Sequence, residues 1–218
     1  AGDTATVTLV FSEAVASFSS AADITVANGT LATMTSSNNV TWAGTFTPTA
    51  NTEDANNTLS LATSYTDTAG NAGPAATTAN YAVETLAPTL SQVNAVTTPT
   101  KDTTPNYTFS SSEAGTIAYG GSCSSDITSV ISGNNTVTFN ALADGTYSNC
   151  TITVTDNVGN SVTLKINSFV IDTTAPFVAQ VTAVTTPTKD TTPNYTFLST
   201  EAGTITYGGS CSSSTTSV

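Results

Sequence analysis

Val7, Leu9 and Phe11 alternate with Thr8 and Val10 and stop at Ser12-Glu13-Ala14, the pattern of a half-buried strand followed by a turn. On the same basis short strands are predicted around residues 24–26, 31–34, 40–46, 59–61 and 81–83. Turn signals separate them at Asn28-Gly29, Asn56-Asn57 and Asp67-Thr-Ala-Gly-Asn71. Further strands are predicted over residues 90–96, 106–111, 116–123, 135–140, 147–155 and 161–171. No stretch carries a helical period. Many short strands with Gly and Pro turns predict Greek-key β-sandwiches, and Trp42, the single tryptophan, is read as a core anchor.

The same pattern returns. Ala95-Val-Thr-Thr-Pro-Thr-Lys-Asp-Thr-Thr-Pro-Asn-Tyr-Thr-Phe109 recurs unchanged from Ala183 to Phe197, and the copy extends to the cysteines, Cys123 and Cys211, 88 residues apart. A period of that size means tandem domains, since solenoid units run to about 20–50 residues. Thr85-Leu-Ala-Pro88 and Thr173-Thr-Ala-Pro176 mark the joints, where proline restricts the linker. The predicted division is 1–84, 85–172 and 173–218, with the first unit cut at its start and the last at its end, as in an excerpt of a longer processed protein.

Composition narrows the function classes. Net charge is −12, with three basic residues and no histidine. Nucleic acid is excluded as partner because phosphate neutralisation needs a basic patch, and anionic membranes are disfavoured for the same reason. No apolar run approaches the roughly 20 residues of a membrane-spanning helix, so no membrane insertion is expected. Without histidine, or a lysine placed to activate a nucleophile, the chain is not expected to be an enzyme. Gly120-Gly-Ser-Cys123 lacks the lysine and following helix of a phosphate loop. Lys101 and Lys189 are read as solvated loop residues, and the Asn-x-Ser/Thr contexts, as at Asn28 and Asn106, as products of an Asn- and Thr-rich composition.

The motifs Phe11-Ser-Glu-Ala-Val15, Asp23-Ile-Thr-Val-Ala-Asn-Gly29, Phe46-Thr-Pro-Thr-Ala50 and Asp67-Thr-Ala-Gly-Asn71 resemble, in that order, the bacterial immunoglobulin-like repeats of large surface adhesins and biofilm-associated proteins. The middle unit is similar through Ser112-Glu-Ala114, Leu142-Ala-Asp-Gly-Thr-Tyr147, Asp156-Asn-Val-Gly-Asn160 and Ile171-Asp-Thr-Thr-Ala-Pro176. The resemblance implies an all-β, elongated array of tandem immunoglobulin-like sandwiches, an extracellular location on a bacterial surface, and Ca²⁺ between domains that stiffens a rod.

In an immunoglobulin-like order, 116–123 and 147–155 are antiparallel neighbours in one sheet. Cys123 shares its phase with Ile117 and Tyr119, and Cys150 with Ile152 and Val154, so a Cys123–Cys150 disulfide is expected. Such a bond implies an oxidising compartment, and the partner of Cys211 would lie beyond Val218. Tyr147, after Asp144-Gly145, resembles the tyrosine corner of these sandwiches.

The same topology gathers carboxylates at the joints. Glu84, Glu113 and Asp156 should converge where the first unit meets the second, and Asp172 with Glu201 at the next joint. Glu13 and Asp67 hold the equivalent places in the first unit. Carboxylates brought together without arginine repel unless a cation joins them, and Ca²⁺ suits an all-oxygen donor set. Good turn geometry alone is the competing reading of Asp67 and Asp156. Asp102, Asp144 and Asp190 lie toward the opposite ends, where a second ion would sit. The functional expectation is a Ca²⁺-rigidified adhesin stalk whose partners are neighbouring domains of the same chain. The alternative is a subunit of a self-assembling filament, sheath or S-layer using lateral self-association.

Overall fold

The computed structural model describes residues 3–218. Its first unit runs β1 (Ala5–Val10), α1 (Ser20–Asp23), β2 (Ile24–Val26), β3 (Gly29–Leu31), β4 (Thr41–Pro48), β5 (Glu53–Asn57), β6 (Leu59–Leu61), β7 (Ala76–Thr77) and β8 (Tyr81–Glu84). They form sheets in the orders β1-β4-β3 and β2-β6-β7, with β5 paired to β8. The inward residues predicted by alternation, Val7, Leu9 and Phe11, pack on a core of Val15, Phe18, Met34, Leu61 and Tyr65. Trp42 joins that core edge-on to Phe18 at 5.0 Å, with its Nε1 buried and unpartnered.

Two elements of this unit have no apolar signature. The one-turn helix α1 is too short for a period and is fixed by Asp23, whose Oδ2 accepts from the Ser19 N–H at 2.8 Å. Strand β5 has the sequence Glu-Asp-Ala-Asn-Asn. It forms because Asn57, fully buried, donates through Nδ2 to the Asp54 and Tyr81 carbonyls and accepts at Oδ1 from Asn28. A buried amide with every group paired thus replaces the hydrophobic residue that would ordinarily hold the strand.

The middle unit comprises β9 (Leu90–Asn94), β10 (Asn106–Ser111), β11 (Gly115–Gly120), β12 (Ser129–Val130), β13 (Gly133–Thr138), β14 (Gly145–Tyr147), β15 (Thr151–Thr155), β16 (Ser161–Lys165) and β17 (Phe169–Ile171). A β13-β10-β9 sheet faces a β12-β11-β15-β16 sheet across one core that includes Tyr107, Phe109, Ile117, Val137, Ile152 and Val154. Strands β11 and β15 are antiparallel neighbours, with Ile117 opposite Val154 and Tyr119 opposite Ile152.

The structure corrects the predicted strands at 147–155 and 161–171, each of which is two strands. In the first, Cys150, Ile152 and Val154 are buried at even positions, while Tyr147 turns inward at an odd one. In the second, Ile166 is buried at an even position, but Phe169 and Ile171 at odd ones. A strand cannot reverse its phase without a break. Both strands break at the same level, where the Ile166 N–H donates to the Cys150 carbonyl at 3.0 Å, and both cross to a separate β14–β17 pair. Cys123 is likewise placed beyond β11, in the following turn, and not within the strand.

The third unit is a β18 (Val178–Thr182) and β19 (Thr196–Ser199) hairpin followed by turns, with Phe177, Val178, Val181, Tyr195 and Leu198 all exposed.

Candidate functional site

The joint between the first and middle units is held from both sides. Thr85, buried at the end of β8, donates from Oγ1 to the Thr49 carbonyl at 2.7 Å and accepts at the same oxygen from the Thr52 N–H at 3.0 Å. On the far side Thr89 exchanges two bonds with Ser112, its N–H donating to Ser112 Oγ at 2.9 Å and its carbonyl accepting from the Ser112 N–H at 3.0 Å. Pro88 between them is fully buried. A cleft of about 440 Å³ lies beside this linker, lined by Phe46, Pro48, Leu59, Tyr81 and Val83 of the first unit and by Val158 and Asn160 of the second.

Three carboxylates here act on a fourth, Glu113. Glu84 ends β8, and Glu53 stands opposite it on β5. Glu113 follows β10, half-buried. Desolvation pushes its carboxyl above the ordinary glutamate range, and the charges of Glu84, Asp156 and Glu53 push it further. Asp156 behaves in the opposite way. Burial alone pushes its pKa up, yet hydrogen bonds from its own turn hold it below the usual value. Its Oδ1 accepts from the Val158, Gly159 and Asn160 N–H groups, and its Oδ2 from Asn160 Nδ2. The turn needs Gly159, at φ +101, because the chain there enters the left-handed region.

Asp67 builds the same turn in the first unit, accepting from the Ala69 and Asn71 N–H groups and from Asn71 Nδ2, all at 2.8 Å. At that end of the chain Asn71 is exposed, whereas Asn160, at the joint, is 3% exposed. Glu13 is exposed. Asp172 accepts from the Thr174 N–H at 3.1 Å, and Ser199 Oγ donates to the Glu201 carbonyl. Among the described residues no three His, Cys, Asp or Glu side chains form a group that could hold a metal ion.

Glu53 escaped the sequence reading of these sites, which assigns Asp144 to a second ion site and not to a clasp on the linker. Glu53 lies in the polar strand β5, whose place beside β8 no local pattern announces. Asp144 clasps the second linker, its Oδ1 accepting from the Thr173 N–H and Oγ1 and its Oδ2 from Thr174 Oγ1 at 2.9 Å. The partners are about thirty residues apart in sequence, and only the turn between β13 and β14 of the finished sandwich brings them together. Cys123 and Cys150 form a disulfide with Cα atoms 5.3 Å apart, and Cys211 is free and exposed. Tyr147 donates from its hydroxyl to the Ala143 carbonyl at 2.9 Å, tying the same turn.

Sandwiches of this strand order, joined by short clasped linkers, define an immunoglobulin-like array. Residues 1–83 match the family model described as Bacterial Ig-like domain. No curated protein matches the chain. Among the described residues no helix is long and apolar enough to cross a membrane.

Proposed function

We propose that the chain is a structural segment of an extracellular bacterial adhesin, a stalk that holds a distal binding module away from the cell, with Ca²⁺ stiffening its joints. The observation that carries this reading is the linker. It is short, contains a buried proline and is hydrogen-bonded to both units through Thr85 and Thr89. A joint with its backbone groups paired on both sides resists bending more than a free Gly/Ser linker would. The Cys123–Cys150 disulfide favours an oxidising, extracellular setting. A net charge of −12 favours solubility and self-repulsion over binding to other polyanions.

The raised Glu113 pKa supports the cation. Desolvation contributes most to that rise, and the charges of Glu84, Asp156 and Glu53 add to it with no basic residue to balance them; a hard divalent ion would neutralise those charges. Asp156 is committed to its own turn, and among the described residues no three carboxylates stand close enough to form a ready metal group, so Ca²⁺ would have to draw Glu53, Glu84 and Glu113 together, with nearby backbone carbonyls. One Glu84 oxygen already accepts from the Leu86 N–H at 2.8 Å. An open donor set of this kind suits the weak binding of extracellular Ca²⁺ modules, with Kd on the order of 10⁻⁴–10⁻³ M.

Thermal melting tests the reading. With Ca²⁺ at about ten times Kd, stability should rise by ~1.4 kcal/mol over the chelated chain. For domains of this size that is a shift of roughly 5–10 °C. An identical melting temperature in Ca²⁺ and in chelator would remove the ion from the account.

A further inference from the structure

The chain enters the middle unit at Pro88 and leaves it after β17, so tension along the chain acts on that unit between these two points. β9 pairs with β10 as far as Asn94. Beyond it the chain changes partner, and Thr100 pairs in parallel with Ile171. The Thr100 N–H donates to the Val170 carbonyl at 3.0 Å, and the Thr100 carbonyl accepts from the Asp172 N–H at 2.9 Å. Thr98 Oγ1 adds a third bond, accepting from the Val170 N–H at 2.9 Å. Val96 on one side of this patch, with Phe169 and Ile171 on the other, is buried in the same core, which keeps the two segments together. All of these residues lie in the middle unit, away from both ends of the chain.

Parallel pairing fixes how the patch meets tension. Residues 98–100 are pulled from their N-terminal side and β17 from its C-terminal side, so two parallel neighbours are drawn along their length in opposite senses. The bonds that cross between them are then loaded together and not one after another. A second restraint stands behind the patch. The Cys123–Cys150 disulfide joins residues 27 apart in sequence and closes a loop that holds β12, β13 and β14. Both cysteines are buried, at 4% and 1% exposure, so a thiol in solution does not reach the bond in the folded unit.

We propose that residues 98–100 and β17 form a clamp that bears tension along the chain, and that its failure is what exposes the Cys123–Cys150 bond to thiols. The unit then lengthens in two stages. The first straightens only the residues outside the disulfide loop. The second needs a dithiol: one of its thiolates attacks a cystine sulfur and displaces the other cysteine as thiolate, and its second thiolate then closes on the mixed disulfide. Two electrons pass from the dithiol to the cystine, and the reagent leaves as a cyclic disulfide. Reduction releases about 90 Å more of chain, the extended reach of the 27 residues less the 5.3 Å between the bonded Cα atoms. The proposal rests on the stalk reading for its use, but the clamp and the lock need no cation and are tested without one.

Single-molecule pulling of the whole chain by its two ends, at constant force and in chelator, supplies the test. With a dithiol present the middle unit should open in one step and, after a delay, lengthen by the second stage; without the dithiol that second stage should be missing. Thr98→Val removes the accepting oxygen from the clamp and should make the first step roughly two- to tenfold faster at a given force. Tyr147→Phe removes a hydrogen bond of the same length inside the disulfide loop, off the path of the load, and should leave that rate unchanged. Four results overturn the proposal: no second stage in dithiol, a second stage that does not wait for the first, a first step unchanged in Thr98→Val, or one equally accelerated in Tyr147→Phe.

Discussion

At the scale of single residues, the paired turns show how one motif serves two ends. Asp156 collects four hydrogen bonds within five residues, so replacing it with alanine strands three backbone N–H groups. Asp156→Ala should cost the middle unit about 1–3 kcal/mol in denaturant unfolding. Gly159→Ala has open space for its methyl group but must hold φ +101, which should cost about 1–2 kcal/mol. Tyr107 supplies the contrast: its hydroxyl is buried without a partner, so Tyr107→Phe should leave the melting temperature unchanged or raised. The acids also set opposed pH trends. Asp156, held below its ordinary pKa, contributes stability that is present above the unfolded value and lost as pH falls through the folded one. Glu113, held above its ordinary pKa, opposes folding while ionised, and that opposition lifts as pH falls through its raised value. In chelator at neutral pH, Glu113→Gln should therefore melt higher than the parent chain, and the gap should close as pH falls through the raised Glu113 pKa.

At the scale of elements, alternation made most strands legible, because Val, Ile, Phe and Tyr on one face of a strand must meet a core. Residues 24–26 and 59–61 were readable to the residue as β2 and β6, and 106–111 as β10. The paired strand breaks beside Cys150 and Ile166 were also written in the sequence, as a change in the parity of the apolar positions. What stayed hidden was held by polar groups: β5 by the Asn57 amide, α1 by Asp23, and the second linker by Asp144. Such partners are distant in sequence and follow no period. The carboxylates were readable as a set recurring at equivalent places, but not the internal bonding that commits Asp156 to its turn. The Cys123–Cys150 bond links the turn after β11 to the start of β15. Its removal by Cys123→Ala with Cys150→Ala should lower the stability of the middle unit by ~3–4 kcal/mol, measured by denaturant unfolding.

At the scale of the whole chain, the central matter is the joint. Thr85 and Thr89 clasp the linker, and Glu53, Glu84 and Glu113 crowd negative charge beside it. A cation that neutralises this charge would hold neighbouring units in line, and without one repulsion would favour bent arrangements. The most direct measurement is small-angle X-ray scattering of the chain in Ca²⁺ and in chelator, alongside the Glu113→Gln variant. The parent chain should give a larger and better-defined maximum dimension in Ca²⁺ than in chelator, and the variant should show little difference between the two. A maximum dimension that is the same with and without Ca²⁺ in the parent chain, or a response that persists unchanged in Glu113→Gln, would contradict the account.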